Sequence, residues 1–150
     1  MKILIAADHA GVDLKNKVVE QLKKNGDQVE DFGPFSADSV DYPDFADLVC
    51  RKLQIEKNQP LLSEMGILIC GTGQGMALRA NKYLNVRAAL VYNDEITKMA
   101  REHNNANIIC IGSRYTDFES TLRWIQIFQS TAFAGGRHQT RVAKIDSSIS

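Results

Sequence analysis

The sequence predicts a doubly wound α/β domain built on a mostly parallel five-stranded sheet, and three observations point to it. Short apolar runs rich in β-branched residues recur at Ile3 to Ala7, Gly66 to Cys70, Val86 to Val91 and Ile108 to Ile111. They carry the unbroken apolar character of strands buried on both faces. Longer stretches with helical spacing separate them, and strand alternating with helix is the pattern of a parallel sheet. Polar or glycine-rich loops follow the runs, where such a sheet opens its ligand crevice.

Taken in order, the first run leads through Asp8-His9-Ala10-Gly11 into a helix with Val12, Val18, Val19 and Leu22 on one side. Lys15, Lys17, Lys23 and Lys24 are expected on its other side, and Asn25-Gly26 stops it. Val29 with Phe32 makes a weaker second strand. A helix is expected over Phe45 to Lys57, and the polar segment Gln54 to Glu64, which overlaps its end and contains Pro60, is expected to form a surface loop. The third strand ends at Cys70, and Gly71-Thr72-Gly73-Gln74-Gly75 turns it into a helix. Asn93-Asp94 follows the Val86 strand, and Gly112-Ser113-Arg114 follows the Ile108 strand. Asp117 to Ser130 reads as a helix through Leu122, Ile125, Ile127 and Phe128. Gly135-Gly136 breaks the chain before a last basic turn or helix over Arg137 to Ile145, and Ser147, Ser148 and Ser150 read as a frayed end. No repeat or linker divides residues 1–150, so a single domain is expected.

Lys+Arg 18 balances Asp+Glu 18, which argues against a nucleic-acid partner held by bulk charge. Cys50, Cys70 and Cys110 are odd in number and form no CxxC pair, which fits a reducing compartment, so a cytoplasmic protein is expected. The apolar run after Met1-Lys2 is too short for a signal-peptide core, and no stretch approaches a membrane span, so no membrane partner is expected.

The chemistry concentrates in the loops. Alternating glycines at 71, 73 and 75 let backbone N–H groups crowd around an anion at a helix start. Met76 and Leu78 stand where a dinucleotide GxGxxG would need glycine or alanine. Cys70 stands where the helix dipole favours a thiolate, which makes it a candidate base or nucleophile; Cys50 and Cys110 read as inert apolar cysteines. His9, His103 and His138 show no metal spacing and suit acid–base or phosphate work. A metal held by Asp8, His9, Asp94 and Glu95 is the alternative. Arg137 and Arg141, four apart, share a face if helical and form a phosphate clamp that Arg114 could join.

Asp8-His9-Ala10-Gly11, Asp41-Tyr42-Pro43, Gly66 to Gly73, Ala80-Asn81-Lys82, His103-Asn104, Gly112-Ser113-Arg114 and Gly135-Gly136-Arg137-His138-Gln139 follow one another in this order. The ordered set closely resembles the ribose-5-phosphate isomerase B family, which also holds galactose- and allose-6-phosphate isomerases. The resemblance implies a Rossmann-like three-layer α/β/α domain and aldose–ketose isomerisation of a sugar phosphate in the pentose phosphate pathway, with neither metal nor organic cofactor. It also implies a homodimer, or a tetramer built from it, with active sites at the subunit interface. Cys70 matches the base of the cysteine-type members; Met76 stands where others carry a glutamate. Thr72 joins the catalytic set, and Gly71, Gly73, Gln74 and Gly75 match the loop that stabilises the enediolate. His103 matches the residue that assists ring opening, and Asn104 a ligand of the reacting oxygens. Asp8 and His9 match sugar and ring-oxygen or phosphate contacts, Tyr42 a wall of the site, and Arg114, Arg137 and Arg141 phosphate contacts, some from the second subunit. Met76-Ala77 departs from the branched residue and serine of many relatives, which leaves the anion hole resting on backbone amides.

Two other classes use the same elements. A nucleotide-binding or flavodoxin-like module would turn Asp94 toward a ribose, and a non-catalytic regulatory protein would use the fold alone.

Overall fold

The computed structural model describes residues 1–53 and 60–147. Strands β1 (Lys2–Ala7), β2 (Gln28–Asp31), β3 (Glu64–Cys70), β4 (Ala88–Leu90) and β5 (Ile108–Gly112) form one sheet in the order β2-β1-β3-β5-β4. Every pairing is parallel. Helices α1 (Val12–Lys24), α2 (Tyr42–Lys52), α3 (Gln74–Ala80), α4 (Asp94–Glu102) and α5 (Phe118–Ser130) alternate with the strands, and α6 (Arg137–Ile145) ends the fold. The β4 edge strand is shorter than the Val86 to Val91 run, because an outer strand pairs on one side only. The end of the expected Phe45 to Lys57 helix beyond Leu53, most of the loop before Glu64 and the frayed end beyond Ser147 lie outside the described residues.

Side chains on a strand point alternately to the two faces, and the core divides accordingly. Ile3, Ile5, Met65, Ile67, Ile69, Ile109 and Ile111 pack against α1, α4 and α5 through Val18, Leu22, Ala100, Trp124 and Phe128. Leu4, Ala6, Leu68, Cys70, Ile108 and Cys110 face the other way, onto Ala46, Val49, Met76 and Ala80 of α2 and α3. Both faces are covered, which is why the strands read as continuous apolar runs. Asn93 caps α4 by accepting the Ile96 N–H at 2.8 Å, and Asp117 caps α5 by accepting the Ser120 N–H at 2.6 Å.

One expectation is corrected. Lys15 does not lie on the solvent side of α1 but is fully buried, donating to Asp31 at 2.6 Å and to Asn16 at 3.0 Å. Residue 15 falls three after Val12 and three before Val18, on the helix's buried stripe, and the carboxylate of Asp31 at the end of β2 supplies the charge that makes burial tolerable.

The sheet has no room for a side chain at Gly66. A Cβ there would lie 2.8 Å from Ile108 Cγ1 and 3.0 Å from Val49 Cγ1. Gly66→Ala is therefore expected to destabilise the fold by about 1–3 kcal/mol, read as a lower urea midpoint with an unchanged slope; an unshifted midpoint would contradict the packing.

Candidate active site

Because all strands are parallel, the loops after β1, β3, β4 and β5 open on one edge of the sheet, its carboxyl edge. The first loop turns on Asp8, whose buried carboxylate accepts the N–H groups of Ala10 at 2.9 Å and Gly11 at 3.1 Å. His9 projects outward, its Nδ1 accepting the Val40 N–H at 3.4 Å. Ser113 donates its hydroxyl to the Ala10 carbonyl at 2.8 Å, so the β5 loop braces the β1 loop. The sequence reading missed this serine as a functional residue; its place beside Arg114 in the β5 loop was the available signal.

Cys70 closes β3 with its side chain turned toward α2 and α3. Its Sγ accepts the Gly73 N–H at 3.1 Å, a bond that a thiolate accepts more strongly than a thiol. Gly73 takes φ 76° as the N-cap of α3, and a Cβ there would lie 2.5 Å from Leu90 and 3.0 Å from the Ile111 backbone. Only glycine meets both demands. Ser113 N–H donates to the Cys70 carbonyl at 2.8 Å and Arg114 N–H to that of Gly71 at 3.1 Å, which clasps the β3 loop to the β5 loop. Thr72 Oγ1 accepts the Gln74 N–H at 3.3 Å. The next first-turn amides of α3, those of Gly75 and Met76, have no acceptor within the helix.

Tyr42 starts α2, and its ring covers Gly75 so closely that a Cβ there would come within 2.5 Å of it. The Arg114 guanidinium lies over Gly71, 3.1 Å from the corresponding point. Asp8, His9, Tyr42, Cys70, the 71–75 loop and Arg114 thus share the carboxyl edge. A cleft of about 370 Å³ continues from Thr72, Gln74 and Gly112 toward the end of β4, lined further by Tyr92, Tyr115 and Trp124.

The remaining expected residues lie elsewhere. His103 is the C-cap of α4, and the chain from it enters β5 at Ile108, the residue paired with Gly66. Cys70 pairs with Gly112 at the far end of β5. The four residue steps between these pairs span about 13 Å. His103 and Asn104 are therefore at the amino edge. Arg137 and Arg141 are there too: His138 of α6 stacks on His103 with ring centroids 4.3 Å apart, and Asp146 accepts Arg87 Nη1 at 2.8 Å just before β4. The arginines do share one helix, but within one chain Arg114 does not join their clamp. His138, which the sequence marked with His9 and His103 as suited to acid–base or phosphate work but which the resemblance gave no role, belongs to this cluster. Burial first, then the charges of His103, Arg137 and Arg141, hold it below the ordinary histidine range, with Glu102 opposing.

The alternatives find less support. Asp94, which a nucleotide module would need for its ribose, receives Arg123 Nε at 2.9 Å and Trp124 Nε1 at 2.8 Å. Among the described residues no three His, Cys, Asp or Glu side chains gather as metal ligands, and no helix is long and apolar enough to cross a membrane.

A doubly wound parallel sheet with a cysteine, a cradle of amides and an arginine converging at its carboxyl edge defines an α/β enzyme for a small anionic substrate. Comparison with known proteins narrows the class. The profile of the family described as Ribose/Galactose Isomerase matches residues 3–145. A probable ribose-5-phosphate isomerase B of Mycoplasma genitalium is 44% identical over 144 residues, 95% of this chain and 92% of that protein. Ribose-5-phosphate isomerase B of Escherichia coli is 35% identical over 144 residues, 96% of this chain and 93% of that one. Among solved structures, a ribose 5-phosphate isomerase of Thermotoga maritima superposes with a TM-score of 0.89 at 44% identity, over 97% of both chains. Ribose-5-phosphate isomerase B of Mycoplasma genitalium, solved with bound ribulose 5-phosphate, superposes with a TM-score of 0.89 at 41% identity, over 97% of this chain and 93% of that one. The chain belongs to the ribose/galactose isomerase family, and it is an isomerase.

The three cysteines differ in surroundings. Burial, reinforced by Asp47, pushes the Cys50 thiol up to about 12, and full burial raises that of Cys110 well above its ordinary range. Iodoacetamide at pH 8 is expected to alkylate Cys70 of the native protein before either of the others, as mapped on tryptic peptides; earlier labelling of Cys50 or Cys110 would contradict the assignment.

Proposed function

We propose that the protein interconverts ribose 5-phosphate and ribulose 5-phosphate as a homodimer, with Cys70 as the base and with His103, Asn104, Arg137 and Arg141 supplied by the second subunit. The observation that carries the reading is the Cys70 sulfur, set at the start of α3 and accepting the Gly73 N–H, inside a loop whose amides face the same opening. The relative solved with ribulose 5-phosphate supports the choice of a pentose.

In this reading His103 of one subunit assists opening of the furanose ring, while Arg137 and Arg141 hold the phosphate and Asn104 a reacting oxygen. Asp8, His9, Tyr42 and Arg114 of the other subunit close around the open chain. The Cys70 thiolate takes the proton from C2, alpha to the C1 aldehyde, and the electron pair moves onto O1. The cis-enediolate is held by the first-turn amides of α3 and by the Thr72 hydroxyl. Losing one such donor costs about 3 kcal/mol in the barrier. The hydroxyl proton of O2 passes to O1, C2 becomes the ketone, and Cys70 returns its proton to C1. No metal or organic cofactor enters these steps.

The topology supports the two-subunit arrangement. One sheet cannot bring its amino edge to its own carboxyl edge, whereas a two-fold dimer sets the amino edge of each chain against the carboxyl edge of the other. Helix α6 suits that role: Val142 is its one buried side chain, and its arginines are exposed.

Purified protein is expected to turn over ribose 5-phosphate undiminished by EDTA, and Cys70→Ser to lose at least about 100-fold in kcat. Turnover of allose or galactose 6-phosphate alone would keep the chemistry and move the substrate, while no turnover of any would sink the reading. Co-expressed Cys70→Ala and His103→Ala chains, each inactive alone, are expected to recover about a quarter of wild-type activity, because half of the dimers then hold one intact site. Failure of the mixture to exceed its parents would place each site within one chain.

A further inference from the structure

Arg101, in the last turn of α4, is fully buried yet has no carboxylate among its hydrogen-bond partners in the described residues. Its guanidinium is spent instead on neutral acceptors from three segments. Nη1 donates to Asn105 Oδ1 at 2.9 Å and to the Ala106 carbonyl at 2.5 Å, Nε to the Thr131 carbonyl at 3.2 Å, and Nη2 to the Pro60 carbonyl at 3.2 Å. The Phe128 ring lies under it, 5.6 Å from centroid to Cζ. Pro60 O also accepts the Phe133 N–H at 2.8 Å, and Glu102 O accepts the Ala134 N–H at 3.0 Å. The end of α4, the connection from α5 to α6 and the segment at Pro60 therefore each touch this one side chain or its neighbour.

We propose that Arg101 is a positioning residue that fastens the end of α4, the connection from α5 to α6 and the segment at Pro60 into one unit, so that His103 and His138 stay stacked and Asn104, Arg137 and Arg141 keep a fixed spacing. The functional half rests on the isomerase reading above; the structural half does not. A buried charge without a counter-charge is expensive, and burial lowers its pKa to about 10. A hydrophobic residue could fill the same volume, but only a planar fork with donors on three nitrogens can reach carbonyls in three directions. Lysine keeps the charge and concentrates its donors on one atom.

The test is Arg101→Lys, followed by NMR titration of His138 and by steady-state kinetics on ribose 5-phosphate. The groups facing His138 are His103, Arg137, Arg141 and Glu102, and lysine preserves the charge at 101, so a shift reports geometry. In the native protein His138 is expected to titrate below the ordinary value of about 6.5. In Arg101→Lys the stack loosens, the midpoint rises toward that value, and kcat/KM falls about 10- to 100-fold. An unchanged titration, with or without lost activity, overturns the proposal, as does a restored titration with full kcat/KM. If Arg101→Lys does not fold, hydrogen exchange of the native protein decides. The amides of Asn105, Phe133 and Ala134 opening as one unit supports the pin, and three unrelated opening free energies overturn it. A native protein that isomerises no sugar phosphate would fell the isomerase reading while leaving the titration and exchange to judge the pin.

Discussion

Backbone-to-backbone approach between the ends of β3 and β5 is the constraint on which the rest of the site depends. A Cβ on Gly112 would sit 2.8 Å from the Thr72 carbonyl carbon and oxygen, and one on Gly73 would meet Leu90 and the Ile111 backbone. With both side chains absent, Ser113 and Arg114 can donate their N–H groups to the carbonyls of Cys70 and Gly71. That clasp sets where α3 begins, and so where its unpaired amides and the Cys70 sulfur face. It also carries Arg114 over Gly71 and puts Ser113 within reach of Ala10. Three loops from strands distant in sequence become one rigid wall, and preorganised donors of this kind cost no reorganisation when charge develops.

The fold spends its buried charges on holding loops. Lys15 is neutralised by Asp31, whose other oxygen accepts the Gly33 N–H at 2.8 Å and so fixes the chain leaving β2. Asp47 on α2 receives Arg79 of α3 through two bonds of 2.6 and 2.7 Å, and those hydrogen bonds hold its carboxyl below the usual range. That pair ties together the two helices that carry Tyr42 and the glycine loop. Arg101 alone among these cations rests on neutral acceptors, at the edge where the second group of candidate site residues lies.

The separation of those residues gives the molecule its polarity. The carboxyl edge presents a sulfur, amides and one guanidinium; the amino edge presents two stacked imidazoles and two arginines. In the proposed reading each edge holds half of what isomerising a sugar phosphate requires, a proton-transfer group with its oxyanion donors on one and an anion clamp on the other. Neither half lacks internal support, so the proposed dimer would bring together two preformed surfaces and not fold a new one.

Much of this was legible in the sequence. The β3 and β5 runs showed themselves as strands because both faces are covered, and Gly71-Thr72-Gly73-Gln74-Gly75 marked the loop because closely approaching backbone tolerates no side chain there. The pairing of Arg137 with Arg141 on one helix also followed from local spacing. The burial of Lys15 and Arg101 was not legible: residue 15 was expected on the solvent side of α1, and whether a cation may be buried depends on acceptors contributed by Asp31, Thr131 or Pro60, which are distant in the chain. The sequence by itself thus determined the fold class, the cysteine, the amide loop and the family, since each is written in short-range pattern or in the order of motifs. Only the tertiary structure decided which residues share an edge. That depends on strand direction and on the full length of β5 standing between His103 and Cys70, and no local pattern encodes either.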